Sequence, residues 1–168
     1  MKLLKSMIIA FSIYSKIPVP QFAWEEEDME YMMCFFPWIG GVIGLVFYGW
    51  LALCENVQIG ALCRACVAAA IPLIISGGFH VDGYMDTMDA FHSYQNREKK
   101  LEILKDSHIG AFAAIMLMLY YMIDIAAISE LHTKKAVFAV AAAFFLSRCL
   151  SGIAVVTLQS AKKEGMLY

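Results

Sequence analysis

Long apolar runs separated by short polar connectors dominate the chain. Four of them, about 33–54, 58–79, 109–129 and 136–158, each approach the roughly 20 apolar residues with which a helix crosses a hydrocarbon core about 30 Å thick. The pattern predicts an all-α, polytopic membrane helix bundle, with residues 1–168 forming one membrane domain. Ahead of the first run, residues 1–17 combine Lys2 and Lys5 with a short apolar segment. Ser12, Tyr14, Ser15 and Lys16 interrupt it, and Pro18 and Pro20 stop it. With no small-residue cleavage site in view, it reads as a short N-terminal interfacial or re-entrant helix rather than a secretory signal. Residues 94–108 are the longest polar stretch. Leu101 and Leu104 mark one side of an expected cytoplasmic amphipathic helix, and Glu98, Glu102 and Asp106 recur at i, i+4 and i+8 along another.

Composition agrees with the membrane reading. The 168 residues are 61% hydrophobic, with a mean hydropathy of +0.65, above the roughly half-apolar content of a soluble domain. A net charge of −2 without a basic block gives no reason to expect nucleic acid. Where the charges fall is more informative. With four crossings and a cytoplasmic N-terminus, Lys2, Lys5, Lys16, Arg97, Lys99, Lys100, Lys105, Lys162 and Lys163 lie inside, and only Lys134 and Lys135 lie in the outer loops. The positive-inside rule favours this orientation. Cys34, Cys54, Cys63, Cys66 and Cys149 fall in or beside apolar runs, as small core hydrophobes do.

Polar residues inside the runs have ordinary structural uses as well as functional ones. Glu25–Asp28 reads as a solvated helix start, because acidic groups suit the positive end of a helix dipole. Gly40 and Gly44 form a G-x-x-x-G, a frequent device for close helix packing and of low specificity. Arg64 lies near the outer end of its run and can snorkel. Gly77 and Gly78 permit an unusual backbone ahead of His80 and Asp82. Asp124 and Arg148 are costly if they face lipid. They either pair with each other or, for Arg148 among Ser147 and Ser151, face an anion.

The chemistry concentrates at Ser76–Phe91. If the chain is helical from Gly83 onward, Asp82, Asp86 and Asp89 at i, i+4 and i+7 fall within about 60° of one another on one face. Three like charges so placed call for a cation, and a hard divalent ion such as Mg2+ shares carboxylate ligands with substrate phosphates. Transporter ion sites lie near the bilayer midplane at broken helices, whereas these aspartates lie at the cytoplasmic end of a run. An interfacial enzyme acting on a phosphate or diphosphate therefore fits better than a divalent cation carrier. Metal ligands are expected at Asp82, Asp86, Asp89, Glu102 and Asp106. Phosphate contacts are expected from Lys105, Arg148 and, more weakly, Lys162 and Lys163. His80, a base or hydrogen-bond donor, joins Asp82, Asp86 and Asp89 as a catalytic candidate.

Several ordered strings resemble one family. Gly77-Gly-Phe-His-Val-Asp-Gly83, Asp86-Thr-Met-Asp89, Leu101-Glu-Ile-Leu-Lys-Asp-Ser107 with Ile109-Gly-Ala-Phe112, and Ser147-Arg148 are similar to adenosylcobinamide-GDP ribazoletransferase, or cobalamin synthase. Ile17-Pro-Val-Pro20, Phe36-Pro37 with Gly40 to Gly44, and Lys162-Lys-Glu-Gly165 extend the likeness over most of the chain. The resemblance implies a magnesium-dependent, multi-pass enzyme of the cell membrane with its active site facing the cytoplasm. Its substrates would be adenosylcobinamide-GDP and α-ribazole or α-ribazole 5'-phosphate, and its products adenosylcobalamin or its 5'-phosphate and GMP. Two positions depart from the family pattern: Ala90 stands where glycine is expected, and His108 where arginine usually makes a phosphate contact. Relatives continue with further membrane helices, so a fragment, a truncated product or a short variant is expected, with a homo-oligomer or missing C-terminal helices as partners. A CDP-alcohol phosphotransferase is the enzyme alternative, but Tyr84-Met85 replaces the alanine-arginine pair that should follow Asp82-Gly83.

Overall fold

The computed structural model describes residues 2–158, apart from the side chain of Glu26. These residues form seven α-helices, a 3₁₀ turn and no strand: α1 Lys2–Tyr14, the turn Glu26–Met29, α2 Met32–Val57, α3 Ala61–Ser76, α4 Phe79–His92, α5 Arg97–Ile103, α6 Ala111–Ser129 and α7 Lys134–Thr157. The all-α expectation holds. Among them α2, α6 and α7 are each long and apolar enough to cross a membrane, and α3 with α4 makes a fourth candidate only as a bent pair. The expected run 58–79 therefore differs from the observed helix, because α3 stops at Ser76. Gly77 and Gly78 both take left-handed backbone, with φ 67° and 84°. L side chains resist this conformation and glycine does not. The chain turns by 98° there before α4 begins.

The described residues form two compact units, 2–49 with 133–158, and Trp50–His132. In the first, Met32, Phe36, Ile39, Ile43 and Phe47 make a buried stripe along α2 at helical spacing. Tyr14 of α1 packs on Phe36 with ring centroids 4.8 Å apart, and Phe144 of α7 on Phe47 at 5.4 Å. Gly40 and Gly44 face the backbone of α7. A Cβ at Gly44 would run into the Ala141 carbonyl, and one at Gly40 into that of Phe144. The G-x-x-x-G is thus the crossing point of α2 and α7.

The acidic run before α2 is structural in a way its composition does not reveal. Asp28 is buried rather than solvated. Its carboxylate accepts from Lys5 Nζ at 2.9 Å, and its carbonyl from the buried Ser6 hydroxyl at 2.6 Å. These bonds tie α1 to the turn. The Lys5 hydrogen bond, helped by the Glu25 amide and opposed by burial, holds the Asp28 carboxyl below its usual 3.8. A carboxylate depressed by folding stabilises above its unfolded value and loses that contribution as pH falls through the folded one. Amide exchange in α1 should therefore accelerate as pH falls below the ordinary aspartate range, after correction for intrinsic rates. Unchanged protection down to about pH 2 would argue against this anchor.

In the second unit, alanines let helices approach closely. Ala65, Ala68 and Ala69 are buried on α3, Ala90 on α4 and Ala113 on α6. Arg64 does not simply snorkel. Its Nη2 donates to the Ser129 carbonyl at 3.1 Å, at the end of α6, while its own carbonyl accepts from Trp50 Nε1 at 3.0 Å. A cation at a helix C-terminus satisfies a carbonyl the helix cannot bond itself. Large apolar side chains on α6 and α7, among them Ile115, Met118, Ile123, Phe138, Leu146 and Ile153, are exposed, as suits segments surrounded by lipid tails.

Candidate functional site

The bend after Ser76 determines how the aspartates are presented. Had α3 continued, they would have lain on the extension of an apolar helix. Instead α4 starts afresh at Phe79, and the Asp82 amide donates to the Gly78 carbonyl at 2.8 Å. Asp82, Asp86 and Asp89 lie within one continuous helix, so the expected common face of about 60° follows from helix geometry. Asp82 is exposed; Asp86 and Asp89 are half-buried. His80 belongs to the same helix but is not on that face. At about 100° per residue it sits roughly 120–180° around from the three aspartates, with its ring edge-on to Phe79 at 5.6 Å.

Tyr84 of α4 also reaches α6, where its hydroxyl donates to the Met116 carbonyl at 3.3 Å and its ring lies 5.7 Å from that of Tyr120. His92, one turn beyond Asp89, stacks on Phe112 of α6 at 5.2 Å and 14°. Its Nδ1 lies 2.9 Å from the Met88 carbonyl. A carbonyl only accepts, so Nδ1 carries the proton in that contact and Nε2 of a neutral ring is the basic nitrogen.

Asp89 has a specific partner. Its Oδ2 accepts from the Gly110 amide at 2.7 Å and its Oδ1 from the Ala113 amide at 2.8 Å. These are the N-cap and N3 amides of α6, a helix whose N-cap residue is glycine and brings no side chain of its own. One carboxylate from α4 thereby satisfies two donors that a capping box would divide between two residues.

The polar helix is shorter than its sequence pattern. Asn96 caps α5 by accepting from the Lys99 amide at 2.9 Å, and the helix ends at Ile103. Asp106 consequently lies beyond the helix, correcting the expectation that Glu98, Glu102 and Asp106 share one helical face. Seven residues of α5 give less than the two and a half turns that an i to i+8 alignment needs. Lys99 holds Glu102 at 2.6 Å, and this bond keeps the Glu102 carboxyl below its ordinary range. Asp106 accepts from both Nδ1 of His108, at 2.6 Å, and the His108 amide, at 3.0 Å. The side-chain bond is the leading cause of two opposite shifts, Asp106 downward and His108 upward from 6.5. Lys105 is exposed nearby in the chain.

Arg148 lies in α7, in the other compact unit. It is half-buried, its Nη1 donates to the Ser147 hydroxyl at 3.1 Å, and its Cγ is 3.0 Å from where a Cβ on Gly40 would stand. Lys162 and Lys163 are outside the described residues. Among the described residues, no three His, Cys, Asp or Glu side chains are gathered to enclose a metal by themselves. Asp82 and Asp86 nevertheless fit magnesium by donor type. This ion commonly takes one or two carboxylates and fills the rest of its octahedron with water and substrate phosphate.

Residues 6–168 match the cobalamin-5-phosphate synthase family. The chain belongs to that family. Among curated relatives, the adenosylcobinamide-GDP ribazoletransferase of Lachnoclostridium phytofermentans is 48% identical over 167 residues, covering 99% of this chain and 64% of the relative. Its namesake in Clostridium perfringens strain SM101 is 31% identical over 131 residues, covering 78% of this chain and 52% of the relative. That of Fusobacterium nucleatum is 28% identical over 172 residues, covering 97% and 62%. The chain thus spans between half and two thirds of the length of these relatives. No solved structure matches it. Within this member of the cobalamin-5-phosphate synthase family, residue spacing was enough to bring out the aspartates of α4. The Asp89–Gly110 contact was not legible in that way. Its available signal was the helix start at Ile109-Gly110-Ala111, which lacks a capping side chain and so calls for one from elsewhere.

Proposed function

We propose that this chain carries the magnesium-dependent active site of an adenosylcobinamide-GDP ribazoletransferase. It would transfer adenosylcobinamide phosphate to α-ribazole or α-ribazole 5'-phosphate and release GMP. The observation that carries the reading is the common face of Asp82 and Asp86 on α4, directly after a 98° break in an apolar helix pair. A ribose hydroxyl of the ribazole attacks the phosphorus next to cobinamide. The new P–O bond forms as the bond to the GMP oxygen breaks.

Asp82 and Asp86 are the residues that would hold magnesium. When bound, the ion offsets charge on the diphosphate and on the departing GMP. Glu102 and Asp106 are the candidates to take up the attacking hydroxyl proton; the bonds from Lys99 and His108 favour their carboxylate forms and at the same time make them weaker bases. Lys105 and His108 supply positive charge for phosphate oxygens, and the bond to Asp106 favours the protonated form of His108. For Arg148, Lys162 and Lys163 a phosphate contact rests on the sequence alone. The mouth of the site faces the cytoplasm of the cell membrane, as the distribution of lysine and arginine favours.

The deciding experiment supplies adenosylcobinamide-GDP, α-ribazole and Mg2+ to membranes containing the protein and follows cobalamin and GMP. Both should form in equal amounts and only with the metal. Divalent cation uptake by proteoliposomes, with no product in the assay, would favour a carrier instead.

A further inference from the structure

We propose that Asp89 is a positioning residue: its carboxylate caps α6 through the space left by Gly110, and so fixes α4, with Asp82 and Asp86, against α6. The proposal deepens the reading above and rests on it where turnover is concerned. Two features of the contact carry it. The first is the pair of hydrogen bonds from the Gly110 and Ala113 amides, at 2.7 and 2.8 Å. The second is steric. A Cβ on Gly110 would stand within 2.6 Å of the Asp89 carboxyl carbon and of both its oxygens.

Backbone conformation does not demand glycine here, because Gly110 has φ −84° and ψ 168°, open to any residue. The carboxylate demands it. Both carboxylate oxygens are occupied by α6, so Asp89 has a different task from Asp82, although all three aspartates share a face. Asp86 is a single turn from Asp89, so a displacement of the capped end of α4 is transmitted to it through about 4.5 Å of helix. The loop ahead of Gly110 contains Asp106 and His108, which are hydrogen-bonded to each other. The same anchor therefore fixes where that loop joins α6.

A double-mutant cycle in detergent tests the contact without reference to activity. Asp89→Ala and Gly110→Ala should each lower the thermal midpoint, by about 3 °C or more for a chain of this size. With the carboxylate gone, the methyl of Ala at 110 has room, so the double variant should melt no lower than the worse single one. Additive losses would overturn the contact. If Asp89→Ala does not fold, Asp89→Ser, which also removes the carboxylate and whose short side chain can turn away from residue 110, carries the same cycle with Gly110→Ala.

Turnover of Asp89→Asn separates positioning from the other roles. Asn keeps one acceptor oxygen and loses the second. The expected result is at least a tenfold loss in kcat with the half-saturating Mg2+ concentration within about twofold of wild type, since an acceptor is lost but no metal ligand. A tenfold rise in that concentration would make Asp89 a ligand and overturn the proposal. Unchanged kcat would leave the cap a purely structural device and overturn it equally. If the wild-type chain makes no cobalamin, the functional reading fails, and the melting cycle still decides whether Asp89 and Gly110 are coupled.

Discussion

Asp82→Asn and Asp86→Asn should each reduce product formation by about 100-fold or more while leaving the protein folded and inserted. Asn reproduces the size and one acceptor of Asp but not its charge, and affinity for a hard cation depends on that charge. Asp82 is exposed in the first turn of α4 and Asp86 half-buried one turn on, so neither substitution opens a core cavity. The structural loss at Asp82 is confined to its interaction with the helix dipole, about 0.3–1 kcal/mol. Steady-state turnover over a magnesium series, beside a thermal melt of each variant, separates chemistry from folding. Near-normal product formation by both variants would remove the metal assignment. His80→Ala provides a contrast. His80 lies on another side of α4, so its loss should leave the magnesium dependence as it is, even if turnover falls for other reasons.

The second large effect is expected in the unit formed by α1, α2 and α7. Gly44→Val should destabilise it by about 3 kcal/mol or more, the upper end of the range for overpacking. The new side chain meets backbone: the Ala141 carbonyl carbon is 3.0 Å and its Cα 3.4 Å from the position of the added Cβ. A flexible neighbour would swing aside, but a helix must move as a whole. Gly40→Val should behave alike, with Phe144 backbone in its way and Arg148 Cγ at 3.0 Å. Gly49→Ala is the internal control. Nothing lies within 4 Å of its added Cβ, and exchanging glycine for alanine inside a helix gains about 1 kcal/mol of propensity. Thermal midpoints in detergent should fall for the first two variants and hold or rise for the third. A midpoint for Gly44→Val no lower than that of Gly49→Ala would show that α2 and α7 do not cross at Gly44.

Three of the expected spans correspond to α2, α6 and α7 within a few residues, because twenty apolar residues in succession have few other uses. The aspartate face of α4 was equally legible, since helical periodicity follows from spacing alone. The extent of α5 was not: the i to i+8 acidic pattern runs past Ile103, and only the fold stops the helix there. Asp28 was misread for a related reason. Nothing local to Glu25–Asp28 announces that Lys5, 23 residues earlier, will reach it.

Sequence by itself therefore determined the all-helical membrane architecture, the family, and the presence of three aspartates on one helical face. Each depends on local periodicity, composition or ordered strings of residues, and these survive without knowledge of the neighbours. Tertiary structure decided what the individual residues do. It made Gly40 and Gly44 a crossing point, turned Gly77 and Gly78 into a 98° bend, and committed Asp89 to the amides of Gly110 and Ala113. The physical reason is common to all of these. A carboxylate is equally ready to take a cation or two backbone N–H groups, and a glycine equally ready to bend or to be approached. Only the partner that folding brings within about 3 Å selects among them.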